Sequence, residues 1–290
     1  MKLPATEGVD ASTAAIDRLA PPDLARLLLE SQRTAVDAAL AATDAIGGAI
    51  VIVADALRAG ARVVLFGAGT SGRLAVLDAS ELPPTFGLEP GRVIARIAGG
   101  EPALRNAVEG AEDDEHAGTA AAADLRAEDV AIGISASGGA PFVRAALLTA
   151  RAQGAYTIAI VNADASPLAT DADLAIVAET GAEPIAGSTR MRAGTAQKLV
   201  LNTISTGAMV LLGKTYGNRM VDVVASNVKL RARAERLVHE LAPGADAAAL
   251  LQAANRNVKV AVVMAHRGVN ADEARRLLAR AGGRLSALLA

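Results

Sequence analysis

The chain has no cysteine and no tryptophan, and only two tyrosines and three phenylalanines among its 290 residues. Without cysteine there is no disulfide scaffold, no thiolate metal site and no cysteine nucleophile, and a cytoplasmic setting fits. Charge of one sign is also missing: 29 Lys and Arg stand against 31 Asp and Glu, a formal net charge of −2. Nucleic acid and anionic membrane are therefore not expected as main partners. The first residues lack the apolar core of a signal peptide. Ala45 to Leu57 and Leu199 to Leu212 are the most apolar stretches, and the second is interrupted by Asn202, Thr203 and Ser205. Neither reaches about 18 uninterrupted apolar residues, so both read as buried helices. The three histidines, His116, His239 and His266, are far apart and show no metal-ligand spacing.

What the chain does have is alanine, valine and leucine arranged as short apolar strands between helical stretches. Residues 1 to 20 read as polar loop, with Asp10 and Ser12 as cap candidates. A long helical stretch is expected from Pro21 to Arg58, broken at Gly47-Gly48. Strands are expected at Arg62–Phe66, Val93–Ile97, Val130–Ile134, Tyr156–Val161 and Leu174–Val177. Between them the pattern predicts a helix from Thr70 to about Leu82 stopped by Pro83-Pro84, two helical pieces in Ala103–Ala123, and a helix over Pro141–Gln153. A long helix is predicted for Ala193–Tyr216. Almost wholly apolar strands alternating with helices imply α/β architecture with a parallel sheet covered on both faces. After Pro243, Leu250–Met264, Ala271–Ala281 and a last short segment read as a bundle of three short helices. About fifty residues is marginal for an independent fold. The division expected is 1–243 for the main domain and 244–290 for the small one.

Chemistry concentrates at two turns. Arg62-Val-Val-Leu-Phe-Gly67-Ala-Gly69-Thr70-Ser71-Gly72 is an apolar strand running into a glycine turn and a helix start. A helix start presents free N–H groups, which suits an anion. Ser135-Ala-Ser137-Gly138-Gly139 is a second hydroxyl-rich turn. Ligands in such sheets sit at the carboxyl ends of the strands, where both turns fall. The spacing Gly67-Ala-Gly69-Thr-Ser-Gly72 also fits a dinucleotide fingerprint, but no acidic residue ends the next strand and there is no Walker-type Gly-Lys-Ser/Thr. Several hydroxyls suit one tetrahedral phosphomonoester better. Helix capping alone also accounts for these Ser and Thr residues. Among the acids, Asp113, Asp114 and Glu115 read as a solvated face. Glu81, a short helix away from the first turn, and a second glutamate in the same cleft would divide acid and base roles.

Several long segments together resemble the bacterial N-acetylmuramic acid 6-phosphate etherases. They are Gly67-Ala-Gly-Thr-Ser-Gly-Arg-Leu, Leu77-Asp-Ala-Ser-Glu-Leu-Pro-Pro-Thr-Phe-Gly87, Ile97-Ala-Gly-Gly100 and Ala107-Val-Glu-Gly-Ala-Glu-Asp113. To these add Gly187-Ser-Thr-Arg-Met-Arg-Ala-Gly-Thr-Ala-Gln-Lys-Leu-Val-Leu-Asn202, Ser205-Thr-Gly-Ala-Met and Tyr216-Gly-Asn-Arg-Met-Val-Asp222. The resemblance runs from about Thr6 to Ala290. It implies a sugar isomerase (SIS) domain, a three-layer parallel α/β sandwich with long flanking helices, and a small C-terminal helical, UBA-like bundle. It also implies a homodimer in the cytoplasm that acts without metal or organic cofactor. The implied reaction removes D-lactate from the 3-position of N-acetylmuramic acid 6-phosphate by elimination and hydration, in amino-sugar recycling or catabolism. The family's two carboxylates match Glu81, as proton donor, and Glu112, as the C2 base. By analogy with other SIS domains, Gly69, Thr70, Ser71, Ser135 and Ser137 would hold the 6-phosphate, with Ser188, Thr189 and Lys198 placed for the sugar or its ring opening. Two departures stand out. The second turn reads Ser137-Gly138-Gly139-Ala140-Pro141 where the family has Ser-Gly-Arg-Thr-Pro, and Thr6-Glu7 is followed by Gly8-Val9-Asp10 rather than Arg-Asn. The same fold also serves non-catalytic phosphosugar sensors, including a glucokinase regulator, and aldose–ketose isomerases. A sensor needs neither glutamate.

Overall fold

The computed structural model describes residues 4–222 and 228–289. Five parallel strands form the sheet: β1 (Val63–Gly67), β2 (Val93–Ile97), β3 (Val130–Ser135), β4 (Tyr156–Val161) and β5 (Leu174–Val177), in the order β2-β1-β3-β4-β5. β1 and β3 lie side by side, Val63 opposite Val130 and Gly67 opposite Ile134. Chain order therefore reverses between these two strands, and a crevice opens there at their carboxyl ends. All of β1 and β3 is buried, which is why their sequence runs apolar without alternation.

Helices α1 (Pro21–Ser31), α2 (Arg33–Ala41) and α3 (Thr43–Arg58) precede the sheet, and α3 packs on β1, β3 and β5. The expected break at Gly47-Gly48 is absent; both glycines lie inside α3. Burial of Ile46, Ala49, Val53 and Leu57 on one face of α3 offsets the roughly 1 kcal/mol that a helical glycine costs. The breaks fall at Gln32 and Ala42 instead. There the Ser31 hydroxyl donates to Leu28 O (2.7 Å) and the Thr43 hydroxyl to Leu40 O (2.5 Å), local bonds that compete with the helix ladder. Among the described residues no single helix is long and apolar enough to cross a membrane; Pro21–Ala41 and Thr43–Arg58 pass that test only together, as a pair bent by 64°.

After β1 comes α4 (Gly69–Phe86), which runs through Pro83-Pro84 rather than stopping before them. Proline removes an N–H but holds a helical φ, so the helix continues and closes with Gly87 N–H on Pro83 O at 3.0 Å. Next in the chain are α5 (Glu115–Ala122), α6 (Pro141–Ala152), α7 (Pro167–Asp171) and α8 (Arg192–Leu211). α5 and α6 cover the sheet face that carries Val64, Phe66, Ala131, Ala159 and Val161, adding Phe142, Val143 and Leu147 to that core.

The chain divides into two compact units: residues up to Ala79 with Gly91–Ser205, and Ser80–Pro90 with residues from Thr206 on. The sheet belongs to the first. In the second, the helix expected to reach Tyr216 ends at Leu211, and Gly213 leads into a two-stranded antiparallel hairpin, β6 (Thr215–Tyr216) with β7 (Arg219–Met220). Helices α9 (Val228–Leu241), α10 (Ala247–Ala253), α11 (Val258–Arg267) and α12 (Ala271–Arg280) follow. They share one core of Val221, Leu237, Val238, Leu251, Val262, Leu278 and Leu285. Leu250–Met264 is two helices, not one: Asn255 and Arg256 take positive φ (53° and 62°) and Asn257 then caps α11 through Val260 N–H. Asp222 accepts from Lys259 (2.7 Å) and Lys214 (3.1 Å), and Lys259 also reaches Gly283 O (3.1 Å).

Candidate active site

At the carboxyl ends of β1 and β3 lies a cleft of 290 Å³ lined by Ala68, Gly69, Thr70, Ser71, Glu112, Ile134, Ser135, Ala136, Ser137, Ala140, Thr189 and Glu7. All of these belong to the first unit. The two turns separated by more than sixty residues of sequence meet here because β1 and β3 are neighbours in register.

The first turn depends on close approach. A Cβ on Gly72 would stand 2.5 Å from Ile97 Cγ1 and 2.7 Å from Gly67 O, so α4 can leave β1 this tightly only with glycine there. α4 begins at Gly69, and the opening N–H groups of a helix have no partner within it. They face the cleft with the positive end of the helix dipole. Ser71 is half committed. The Asn162 amide donates to Ala178 O (2.8 Å), Gln197 Nε2 donates to Asn162 Oδ1 (2.9 Å), and Ser71 donates its hydroxyl proton to Gln197 Oε1 (2.9 Å). A carbonyl can only accept, so this buried chain has one direction, and what Ser71 offers a ligand as donor is its backbone N–H. Gln197 carried no sequence signal for this role, because only the packing of α8 beside the start of α4 joins it to Ser71.

In the second turn, Ser135 Oγ accepts from Gly138 N–H (3.1 Å) and Ser137 Oγ from Gly139 N–H (3.2 Å). The capping and ligand readings therefore coexist: each oxygen orders the turn and each O–H proton stays available to a ligand. Gly138 has φ +67°, and a Cβ there would fall 2.2 Å from Ser166 Oγ. α6 starts just beyond Ala140, so a second helix N-terminus abuts the cleft. Among the described residues no Lys or Arg lines the cleft.

Glu112 lies in a 3-10 turn, Ala111–Asp113, entered through Gly110 at φ 73°. Partial burial against the cleft wall, and next the charge of Asp113, raise its pKa above the ordinary glutamate value. Such a carboxyl is better suited than a free one to take and return a proton near neutral pH.

Thr189 lines the cleft, whereas Ser188 is not among its lining residues and is half-buried in the turn beside it, its N–H on Ile185 O (2.9 Å). Lys198 is exposed on α8 and donates to Asn202 Oδ1; Asn202 in turn donates to the buried Asp78 (2.6 Å), which also accepts from Ser205 (3.0 Å). Glu81 is exposed and belongs to the second unit. Glu7, in the segment where the sequence departs from the family pattern, is a cleft residue, although it was not among the expected site residues. Behind it, Asp10 pairs with Arg192 (3.0 Å), and the fully buried Glu183 accepts from the N–H groups of Arg192 (2.8 Å) and Ala193 (2.9 Å) to cap α8.

Known proteins share the family and the fold of this chain. Residues 45–151 match the glucokinase regulatory protein N-terminal SIS domain, and residues 104–207 match the SIS domain. N-acetylmuramic acid 6-phosphate etherase of Deinococcus radiodurans is 48% identical, over 96% of this chain and 92% of that one. The protein of the same name from Gloeobacter violaceus is 49% identical over 98% of this chain and 94% of its own. Among solved structures, a phosphoheptose isomerase from Francisella tularensis superposes with a TM-score of 0.54 at 22% identity, over 66% of this chain and 100% of that one, which shows the shared fold.

Proposed function

We propose that this chain, which belongs to the N-acetylmuramic acid 6-phosphate etherase family, does its chemistry in the cleft between the two hydroxyl-rich turns. It cleaves the D-lactyl ether of N-acetylmuramic acid 6-phosphate with water, giving N-acetylglucosamine 6-phosphate and D-lactate. The observation that supports this placement is a glutamate with raised pKa, Glu112, in one cleft with two turns built to hold an anion.

The 6-phosphate takes the N–H groups at the start of α4 and the hydroxyls of Thr70, Ser135 and Ser137. With the ring open, the C1 aldehyde acidifies the C2 proton. Glu112 removes that proton, the electron pair forms the C2–C3 double bond, and the C3–O bond breaks. The departing lactate oxygen receives a proton from Glu81. Water then adds at C3 of the unsaturated aldehyde, its hydroxyl staying on C3 while C2 regains a proton. The carbonyl that makes C2–H acidic belongs to the substrate, so the steps as written need no cofactor. Thr189, Ser188 and Lys198 serve the sugar or its ring opening. The enzyme works as a cytoplasmic homodimer.

D-lactate release from N-acetylmuramic acid 6-phosphate tests the reading. Release that collapses in Glu81→Gln and Glu112→Gln supports it. Phosphosugar binding with no release would replace it with the sensor, the alternative favoured by Gly139 and Ala140. At Gly139 a Cβ would meet only Ser137 Oγ, at 3.5 Å. Gly139→Arg therefore meets no backbone clash at its Cβ, and one charge-assisted bond to phosphate, worth about 1.5–3 kcal/mol, is expected to tighten product binding roughly 10- to 150-fold. Calorimetric titration with N-acetylglucosamine 6-phosphate reads it; an unchanged Kd would mean the phosphate lies out of reach of residue 139.

A further inference from the structure

Resting on the etherase reading, we infer that Glu7 is a substrate-binding residue whose carboxylate accepts a hydrogen bond from the sugar, on the side of the cleft formed with the 187–189 turn. The lining divides by chemistry. One wall, residues 68–71 and 134–137, offers backbone N–H groups and hydroxyls, donors suited to an anion. A hexose phosphate also carries several hydroxyls and an amide N–H, and these need acceptors. Among the described residues only two charged acceptors line the cleft, Glu112 and Glu7. Glu112 is engaged in proton transfer, which leaves Glu7.

Its position fits that role. A Cβ built on Gly187 would lie 3.6 Å from Glu7 Oε2, so the carboxyl stands against the turn that supplies Thr189 to the same cleft. Glu7 is also held, not trailing. It sits in a 3-10 turn, Ala5–Glu7, whose Thr6 is fully buried. Three residues on, Asp10 pairs with Arg192, both largely buried. Arg192 is anchored by its own bonds to Ser31 O (3.1 Å) and Ala182 O. The N-terminal segment is thereby pinned to the start of α8, and Glu7 with it. A carboxylate beside a bound phosphate dianion would repel it, so an acceptor at this site makes sense only at the sugar end.

The test compares two ligands by calorimetry in wild type, Glu7→Ala and Glu7→Gln. N-acetylglucosamine 6-phosphate is expected to bind Glu7→Ala about tenfold more weakly and Glu7→Gln about threefold more weakly, since the amide oxygen still accepts. Inorganic phosphate is expected to bind all three equally, or slightly tighter once the negative charge is gone. In turnover the loss appears in KM, with kcat nearly kept. Equal affinity of wild type and Glu7→Ala for the sugar phosphate overturns the inference, and so does a parallel loss of phosphate affinity, which would mark a collapsed cleft. Absent D-lactate release by the wild type would instead refute the etherase reading, and the binding comparison would still decide whether Glu7 holds the sugar.

Discussion

Glu112→Gln is expected to lower kcat for D-lactate release by 10²- to 10⁴-fold, the span that a positioned general base supplies, while N-acetylglucosamine 6-phosphate still binds. Glutamine keeps the size and the acceptor oxygen and loses only the proton acceptor. The pH profile carries a second, independent signature. Because burial and the Asp113 charge raise the Glu112 pKa, the acid limb of kcat/KM is expected above the ordinary glutamate range. Asp113→Asn removes the like charge, stabilises the ionised form and moves that limb to lower pH. A limb that ignores Asp113 would assign the titration to another group. Stability runs the opposite way to activity. A carboxyl whose pKa is higher folded than unfolded favours folding below its unfolded pKa, and that contribution is lost as pH rises through the folded value. Glu112→Gln should therefore not lower Tm at neutral pH. A large drop in Tm would make the activity loss structural.

Asp129→Ala is expected to cost about 3 kcal/mol of stability, as removing one partner from a buried ion pair does, and to lower Tm by roughly 5 °C. Asp129 is 2% exposed at the amino-terminal end of the sheet. It accepts from Arg62 N–H (2.8 Å), Arg62 Nη2 (2.6 Å) and Arg126 N–H (3.1 Å), and Arg62 bridges on to Asp124, which Arg96 also holds. Burial alone would raise the Asp129 pKa, but the Arg62 and Arg126 bonds outweigh it and leave it lowered; Arg96 first, and then Arg62, lower that of Asp124. This support is present above the unfolded pKa of about 4 and is lost as pH falls through the lowered folded values. The exposed Arg58–Asp55 pair is the comparison, since Asp55→Ala should cost under about 0.5 kcal/mol. Thermal melts of the two variants side by side decide it; equal melts would mean the Arg62 cluster contributes no more than a surface pair. The cluster bears on function because it ties the starts of β1 and β3, the strands whose far ends carry the two turns.

The five strands, the order of elements and the two turns were legible in the sequence because each is a local matter. A strand buried on both faces must be apolar throughout, and a tight strand-to-helix turn must use glycine where a Cβ would meet backbone, as at Gly72. Helix ends were less legible. Pro83-Pro84 and Gly47-Gly48 read as stops, yet proline already has a helical φ and the burial of α3 outweighs its glycines. The etherase family was legible too, carried by long motifs in order. What only the tertiary structure decided is which groups face one another. Glu7 and Thr189 come to the wall of the same cleft as Gly69 and Ser135, and Ser71 gives its hydroxyl proton to Gln197, 126 residues away. Glu112, although partly exposed, acquires its raised pKa from the partial burial of its carboxyl and then from the charge of Asp113. Chain order sets the local conformation of each turn, but hydrogen-bond direction and desolvation depend on neighbours that only the parallel pairing of β1 with β3 and the packing of α8 beside α4 bring within reach.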